Sequence, residues 1–172
     1  ADRKLRPIQS EVYNYHQNSK EFWVIDGDHP YETPEGQDYK WRRGYHKGGK
    51  SIMWGRQSYR MSEIDFRANK TDGHGVDWPV DYAEMKPWYD YVEKFAGISG
   101  SMEGLEILPD GVFQPAHDLT CAEVEFKKAV EGKFPGRKVI PGRAAHLTEP
   151  TEEQMSLGRG KCQARSLCER GC

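Results

Sequence analysis

The sequence predicts one loop-rich domain of the mixed α/β (α+β) class, with a few helices and short strands. Leu, Ile, Val and Phe make up only 29 of 172 residues, about 17%, which is little for an aliphatic core. Twenty Phe, Trp and Tyr residues and a net charge of −2 nevertheless separate the chain from disordered proteins. Helix-capping signals alternate with short apolar runs and long Gly- and Pro-rich stretches. We therefore expect a folded chain whose core is completed by aromatic packing, a cofactor or parts of a larger protein.

Composition excludes several classes of function. No run approaches 18 apolar residues, so the sequence predicts no transmembrane segment. The first seven residues are too polar for a secretory signal, and because the chain begins without Met, its start does not report the compartment. Lys and Arg are scattered among acidic residues, whereas a nucleic-acid surface needs a concentrated basic face.

The first forty residues carry few apolar positions. A short run at 22–25, Phe-Trp-Val-Ile, is typical of a strand and is followed by the turn signal Asp26-Gly27-Asp28. Residues 41–60 are rich in glycine and aromatic residues, which argues against a helix there.

Two helices are predicted in the middle of the chain. Ser62, followed three residues later by Asp65, predicts the N-terminus of a short helix that ends near residue 69. Pro87 predicts the first turn of a second helix, which ends at Gly97. Its apolar stripe consists of Tyr91, Val92 and Phe95, which recur at helical spacing.

The third quarter of the chain begins with a predicted loop over 99–115. Thr120 and Glu123 form a capping box that predicts the next helix, which ends before Pro135-Gly136. Its apolar stripe consists of Val124, Ala129, Val130 and Phe134. Residues 139–140 and 144–147 are compatible with strands interrupted by Pro141-Gly142.

A glycine doublet, Gly48-Gly49, is the first motif that could carry chemistry. Paired glycines allow the backbone to bend sharply or to approach a flat or phosphorylated ligand, and Ser51 can hydrogen-bond a phosphate or ribityl oxygen. The spacing does not match a dinucleotide-binding fingerprint. By spacing alone an ordinary turn is the more common explanation.

The second motif is a cysteine-rich C-terminal loop. Cys162, Cys168 and Cys172 form the pattern C-x5-C-x3-C beside several basic residues, with Cys121 far upstream. Thiolates near cations suit an iron–sulfur cluster. A zinc site with a distant fourth ligand, a disulfide and unligated thiols are the alternatives that the spacing leaves open.

Taken in order, three segments resemble the glucose–methanol–choline (GMC) family of FAD-dependent oxidoreductases. They are YHKGGKSIMWGRQSYR, DGHGVDWPVDYAEMKPWYDYVEKFAGISG and the cysteine loop. The branch that they resemble most contains the large subunits of bacterial gluconate, glucose and fructose dehydrogenases. Considered by itself, the Asp77-Trp78-Pro79 part of the second segment indicates only aromatic packing at the entrance of a helix.

The resemblance implies the positions of cofactor contacts. Residues 41–60 would form a flavin-contacting loop in which Gly48, Gly49 and Ser51 contact FAD, while Trp54 and Gly55 lie beside the isoalloxazine. Some relatives attach FAD covalently through a histidine, but the corresponding position here is Met53, so no covalent link is expected by that route.

Further implications concern the rest of the chain. Residues 77–100 would form a helical cap segment over the flavin, and the loop 162–172 would hold a 3Fe–4S cluster through Cys162, Cys168 and Cys172. Residues 1–172 would be an interior part of a two-domain fold that lacks the N-terminal Rossmann unit and the C-terminal catalytic segment. Alone, such a part should neither retain FAD tightly nor turn over substrate.

The expected activity is oxidation of the CH–OH group of a sugar, sugar acid or other alcohol, with electrons passed to a carrier. An electron-transfer subunit is the expected partner, and the resemblance favours the bacterial periplasm or a membrane-associated complex. None of the six histidines matches the catalytic position of the family, so each is expected to be an ordinary loop or surface residue: His16, His29, His46, His74, His117 and His146. The alternative functions are a zinc-stapled interaction module and a carbohydrate-binding domain.

Overall fold

Short helices joined by long irregular segments make up this protein. The computed structural model describes residues 2–165 and 167–170. The α-helices in these residues are α1 Asp2–Leu5, α2 Glu63–Phe66, α3 Ala68–Asp72, α4 Tyr82–Ala96, α5 Cys121–Lys133 and α6 Glu152–Ser156, and the strands are β1 Ser99–Gly100 and β2 Gln114–Pro115. Single 3₁₀ turns lie at Gln9–Glu11, Lys20–Phe22, Asp26–Asp28, Gly49–Ile52 and Cys168–Arg170. The predicted mixed, loop-rich class is confirmed.

The chain divides into two compact units. The first unit contains residues 1–55 and 164–172, and the second contains residues 56–163. The segment 41–60 and the cysteine loop 162–172 therefore each cross a boundary between the units.

Side-chain hydrogen bonds to the backbone hold the first unit together. Gln9 is fully buried, and its amide nitrogen donates to Asp26 Oδ1 at 2.8 Å and to the Trp41 carbonyl at 2.9 Å. Its amide oxygen accepts from the backbone N–H of Arg43 at 2.7 Å. One side chain thus joins three segments in the absence of a sheet between them.

The strand predicted at 22–25 is wrong. Phe22 ends a 3₁₀ turn, and Trp23 and Val24 follow as buried, irregular backbone. Val24 N–H donates to the Arg43 carbonyl at 3.2 Å, but no ladder develops from it among the described residues. The apolar run indicates burial, and because a buried loop and a strand are both apolar, it does not distinguish between them.

The second unit is built around Ala144. Ala144 bridges Gln57 on one side and Ser99 on the other, and β1 pairs with β2 in parallel register. The prediction of a loop throughout 99–115 is therefore wrong at both ends. The strands predicted at 139–140 and 144–147 reduce to the single bridging residue Ala144, because Pro141 and Gly142 do not support a ladder.

Helix α2 begins where the sequence predicts it. The N–H of Ser62 donates to Asp65 Oδ2 at 2.6 Å, so the predicted N-cap residue is part of a capping box. A break at Arg67 separates α2 from α3, so the predicted helix is present but interrupted.

Helix α4 begins five residues earlier than predicted. The Asp81 carboxylate accepts a hydrogen bond from the Glu84 N–H at 2.9 Å, and the Glu84 carboxylate accepts one from the Asp81 N–H at 3.0 Å. This capping box sets the start of the helix at Tyr82. Pro87 lies inside the helix, where its missing N–H costs one helical hydrogen bond. The predicted end at Gly97 is confirmed, with φ of 74°.

The apolar stripe of α4 departs from the usual amphipathic pattern, in which such a stripe faces the core. Tyr91, Val92 and Phe95 are exposed, and the buried residue of the helix is Glu93. Helix α5 shows a similar departure. Its capping box between Thr120 and Glu123 is confirmed, but the helix contains no buried residue. Its stripe is only half-buried at best.

Candidate functional site

The predicted flavin-contacting loop contains a tight left-handed turn in the first unit. Gly48 and Gly49 have φ of 92° and 57°, a region that favours glycine. They lead directly into the 3₁₀ turn Gly49–Ile52, and the Ser51 hydroxyl donates back to the Gly48 carbonyl. The backbone path therefore requires both glycines. An ordinary turn without a ligand would have the same requirement.

His46 anchors this turn. Its Nδ1 lies 2.9 Å from the Phe22 carbonyl oxygen, and its Nε2 lies 2.7 Å from the Gly49 carbonyl oxygen. A Cβ at Gly44 would overlap the Phe22 carbonyl, so glycine at 44 permits this approach. The imidazole links the turn to the buried segment at 22–24.

Lys50 is folded onto an aromatic ring beside the turn. Its Nζ lies 4.1 Å from the centroid of the Trp23 ring, which is itself buried. Burial lowers the pKa of Lys50 below its usual value. The positive charge of Lys50 is therefore held over the Trp23 ring, on a residue that directly follows the glycine doublet.

The turn also presents an open face. Gly48, Ser51 and Gly55 are exposed, and Gly49 is half-buried. A Cβ at Gly49 or at Gly55 would have no neighbouring atom within 4 Å. Gly55 also lacks a positive φ, so neither backbone conformation nor packing within the described residues explains a glycine at that position.

Met53 and Trp54 are the last two residues of interest in this loop. Met53 is 3% exposed, and its carbonyl accepts from Asn14 Nδ2 at 3.2 Å. Trp54 is half-buried. The turn thus combines an exposed glycine surface with a buried Met53, and the contacts to FAD expected at Gly48, Gly49, Ser51, Trp54 and Gly55 remain predictions.

The cysteines are distributed over both units. Cys162 is half-buried in the second unit, where its N–H donates to the Leu147 carbonyl at 2.7 Å. Cys168 is half-buried in the first unit, and Cys172 lies outside the described residues. Cys121 is exposed at the start of α5. Within 2–165 and 167–170, no group of three or more His, Cys, Asp or Glu side chains is arranged to hold a metal ion. The expected cluster, which includes Cys172, remains a prediction.

Two predicted motifs meet within the first unit. The 3₁₀ turn Gly49–Ile52 lies against the 3₁₀ turn Cys168–Arg170, far away in sequence. The glycine turn and one of the predicted cysteine ligands are therefore neighbours in this unit.

The segment Asp77-Trp78-Pro79 is fixed onto α3 in the second unit. Asp77 Oδ1 accepts the N–H of Lys70 at 2.7 Å. The Trp78 ring packs edge-on against Phe66, with 6.3 Å between the ring centroids, and remains half exposed. The aromatic packing expected at this helix entrance is present.

A buried charge cluster in the second unit was missed by sequence reasoning. Arg60 Nε donates to Glu93 Oε1 at 2.8 Å, and its Nη2 donates to Glu93 and to Asp90 at 2.5 Å each. Burial alone would lower the pKa of Arg60, but the hydrogen bonds to these two carboxylates outweigh it and raise the pKa. Asp90 and Glu93 are spaced i, i+3 on α4, and this spacing is the signal that could have identified the charged face.

A groove with a volume of about 670 Å³ lies between α4 and α6 in the second unit. Its walls include Tyr91, Phe95 and Leu157, and Glu152 and Glu153 line its edge. It contains none of the predicted site residues. In the described part of the chain the longest helix has 15 residues, and no helix is long and apolar enough to cross a membrane.

Comparison with known proteins gives partial matches to oxidoreductases. No protein-family model matches the chain. The chain is 32% identical over 124 residues to paromamine 6'-oxidase of Streptomyces fradiae, which covers 70% of this chain and 21% of that protein. It is 29% identical over 125 residues to 6'''-hydroxyparomomycin C oxidase of Streptomyces lividus, with 70% and 22% covered.

A third relative is the fructose dehydrogenase large subunit of Gluconobacter japonicus. It is 33% identical over 73 residues, which covers 42% of this chain and 13% of that protein. The chain therefore spans about a fifth of the length of the first two relatives and less of the third. All three names denote oxidoreductases.

Proposed function

We propose that this chain forms the flavin-contacting part of an FAD-dependent oxidoreductase of the GMC family. The proposed reaction is oxidation of a CH–OH group in a sugar, a sugar acid or another alcohol, with electrons passed on to a carrier. Support comes from the similarity to two oxidases and one dehydrogenase, together with the sequence resemblance described above. Because the chain spans about a fifth of the two oxidases, the activity would belong to a longer protein.

The observation that carries this proposal is the open face of the glycine turn. At Gly55, neither φ nor a neighbouring protein atom requires glycine. At Gly49, the required φ is accompanied by empty space where a Cβ would point. Backbone that is bare on one side permits close approach of a planar ligand. The residues present therefore fit a flavin ring.

The proposed roles follow from the position of each group. The main chain at Gly48, Gly49 and Gly55 would contact FAD, and the half-buried Trp54 would lie beside the ring. The hydroxyl of Ser51 donates within the turn, so it would offer its oxygen as an acceptor to a ribityl hydroxyl. Lys50 would supply positive charge near the ligand. When bound, FAD accepts a hydride equivalent from the alcohol carbon.

A second cofactor is proposed at the cysteine loop. Three thiolates are a ligand set used by iron–sulfur clusters, and Cys162, Cys168 and Cys172 would hold a 3Fe–4S cluster. The packing of the Cys168–Arg170 turn against the glycine turn supports a position close to the flavin. An electron-transfer subunit would then be the partner, as the name of the fructose dehydrogenase large subunit suggests for that relative.

The flavin contact is tested by NMR on the chain with FAD, riboflavin and ADP. We expect FAD and riboflavin, which share the isoalloxazine ring, to shift the amide signals of Gly48, Gly49 and Gly55 at millimolar concentration, and ADP to leave them unchanged. Gly55→Ala should weaken this binding about tenfold, because a methyl group then occupies the contact surface.

Gly27→Ala is the matched control for this experiment. Gly27 lies in the same unit and also lacks a positive φ. A Cβ at this position would likewise have no neighbouring atom within 4 Å. Its substitution should leave flavin binding unchanged. The proposal fails if riboflavin shifts none of the three glycine amides, or if the two alanine variants weaken binding equally.

The cluster is tested by metal analysis of protein purified without oxygen. We expect about three iron atoms per chain and their loss in Cys168→Ser. Cys121→Ser, which removes the cysteine outside the motif, should retain the iron. Stoichiometric zinc without iron would contradict the cluster and favour a zinc-stapled interaction module instead.

A further inference from the structure

Two histidines of the second unit form a pair that the proposed function does not use. The ring centroids of His117 and His146 are 5.4 Å apart, and the ring planes are inclined by 62°. His117 is exposed, whereas His146 is half-buried. The sequence gives no reason to associate residues 29 positions apart.

Backbone structure fixes both sides of the pair. Thr148 Oγ1 donates to the Pro115 carbonyl at 2.7 Å, and the Glu149 N–H donates to Gln114 Oε1 at 3.0 Å. His146 lies two residues before Thr148, and His117 lies two residues after Pro115. Strand β2, which contains Pro115, is in turn paired with β1. The imidazoles therefore extend from two segments that are tied together.

The separation of the rings suits chelation of one metal ion. Transition metals bind imidazole nitrogen at about 2.0–2.1 Å in tetrahedral sites. Because each ring centre lies about 1.1 Å behind its nitrogen, a tetrahedral angle between two such ligands places the ring centres about 5 Å apart. The observed separation of 5.4 Å is close to that distance, so both rings reach one ion when a nitrogen of each turns towards it.

Charge around the pair restricts the kind of metal. Burial lowers the pKa of His146, with smaller contributions from His117 and Arg56, and the neutral form of imidazole is the one that binds metals. The positive charge of Arg56 disfavours weakly bound hard cations. Divalent ions with a strong preference for nitrogen, above all Cu²⁺, overcome this repulsion best.

We propose that His117 and His146 together bind a divalent transition-metal ion, with Cu²⁺ bound most tightly. Within the described residues, no third His, Cys, Asp or Glu joins them in a metal-binding group. Water or an added small ligand would therefore complete the coordination on the exposed side, next to His117.

The test is a Cu²⁺ titration of the full chain followed by electron paramagnetic resonance. Thiols are first alkylated with iodoacetamide, because cysteines bind and reduce Cu²⁺. We expect one bound ion whose spectrum shows two nitrogen donors. His117→Ala should leave at most one nitrogen donor and weaken binding at least about tenfold. His146→Ala should have the same effect. The His117→Ala variant is the decisive one, because His117 is exposed and its replacement should leave the fold intact.

His74→Ala provides the control, since His74 is an exposed histidine of the same unit outside the pair. This variant should retain both nitrogen donors and the original affinity. Calorimetry with Ni²⁺ on the alkylated chain should give the same dependence on His117. The proposal is overturned if no ion binds at micromolar Cu²⁺, or if His117→Ala retains the affinity and nitrogen count of the parent chain.

Discussion

Arginine side chains fill positions that leucine or isoleucine would occupy in an ordinary interior. Arg6 and Arg43 in the first unit, and Arg60 and Arg143 in the second, are each at most 5% exposed. Their guanidinium groups donate to backbone carbonyls and carboxylates, as when Arg6 Nε donates to the Trp23 carbonyl at 3.1 Å. A buried cation needs hydrogen-bond partners to offset its lost hydration, and each of these guanidinium groups has at least one. These residues therefore fix the path of neighbouring loops.

The pH dependence of stability follows from one of these partners, Asp110. Burial alone would raise the pKa of Asp110, but the N–H groups of Glu103 and Gly104 and the guanidinium of Arg143 outweigh it and lower the pKa. A carboxyl whose pKa is lower in the folded state stabilises the fold above its unfolded pKa, about 3.9. That contribution is lost as the pH falls through the folded value.

Asp110→Asn should therefore lower the free energy of unfolding by about 2 kcal/mol at neutral pH, since charge-assisted hydrogen bonds are lost. Below about pH 4 the difference from the parent chain should begin to shrink, because the carboxyl of the unfolded parent chain takes up a proton there, and it should vanish once the pH falls below the folded pKa. Urea unfolding at several pH values measures both effects. The exposed Asp38→Asn should change little, and a deficit of Asp110→Asn that does not vary with pH would contradict the assignment.

At the scale of single elements, α4 has its charged face inward. Glu93 is buried against Arg60, while the apolar stripe that contains Val92 is exposed. We expect Val92→Lys to change the free energy of unfolding by less than about 0.5 kcal/mol. Ile98→Ala, one residue beyond the helix cap and 2% exposed, should cost about 2–5 kcal/mol. Chemical denaturation of the two variants compares them, and a large loss in Val92→Lys would show that the stripe is buried.

The ends of α3 and α4 separate two roles of glycine. Gly73 and Gly97 both cap their helices with φ near 75°, but only at Gly97 would a Cβ overlap a core atom, Leu147 Cδ2. Gly73→Ala should cost about 1 kcal/mol from backbone conformation alone. Gly97→Ala should cost about 2 kcal/mol more because of the overlap. Thermal unfolding gives the comparison, and equal losses in the two variants would be evidence against the close packing at Gly97.

The sequence predicts local features of these elements better than their orientation. Capping boxes at Ser62 and Thr120 depend on residues three positions apart, and both are confirmed. The inward face of α4 depends on Arg60, which precedes Glu93 by 33 positions, so the spacing of apolar residues along the helix does not reveal it. The two-residue strands are too short to show alternation.

The candidate site divides in the same way between local and distant determinants. A sharp turn at the glycine doublet was predictable, because glycine adopts a positive φ without steric cost. The contact between Lys50 and Trp23, and the packing of the Cys168–Arg170 turn against the glycine turn, join segments far apart in sequence. The pairing of His117 with His146 likewise depends on tertiary structure, and each residue alone looks like an ordinary surface histidine.

At the scale of the whole molecule, the interior is polar. Among the described residues, the buried set contains seven apolar side chains and twelve polar or charged ones. Exposure of apolar surface raises the heat capacity on unfolding, whereas exposure of polar surface lowers it. A typical chain of this length would show a change of about 2.1–2.6 kcal/mol/K.

We therefore expect a heat-capacity change of unfolding below about 2 kcal/mol/K. Differential scanning calorimetry at several pH values gives this quantity from the slope of unfolding enthalpy against temperature. A value inside or above the ordinary range would mean that more apolar surface is buried than the side chains of both units indicate.

Gln9 makes the first unit sensitive to the exchange of a single atom. Its amide nitrogen donates to the Asp26 carboxylate and to Trp41, while its oxygen receives Arg43, so neither end of the amide can take the place of the other. Deamidation to glutamate would preserve the volume of the side chain but set two negative groups face to face. Slow deamidation at this position would thus loosen three backbone segments at once, without any change in the apolar residues of the protein.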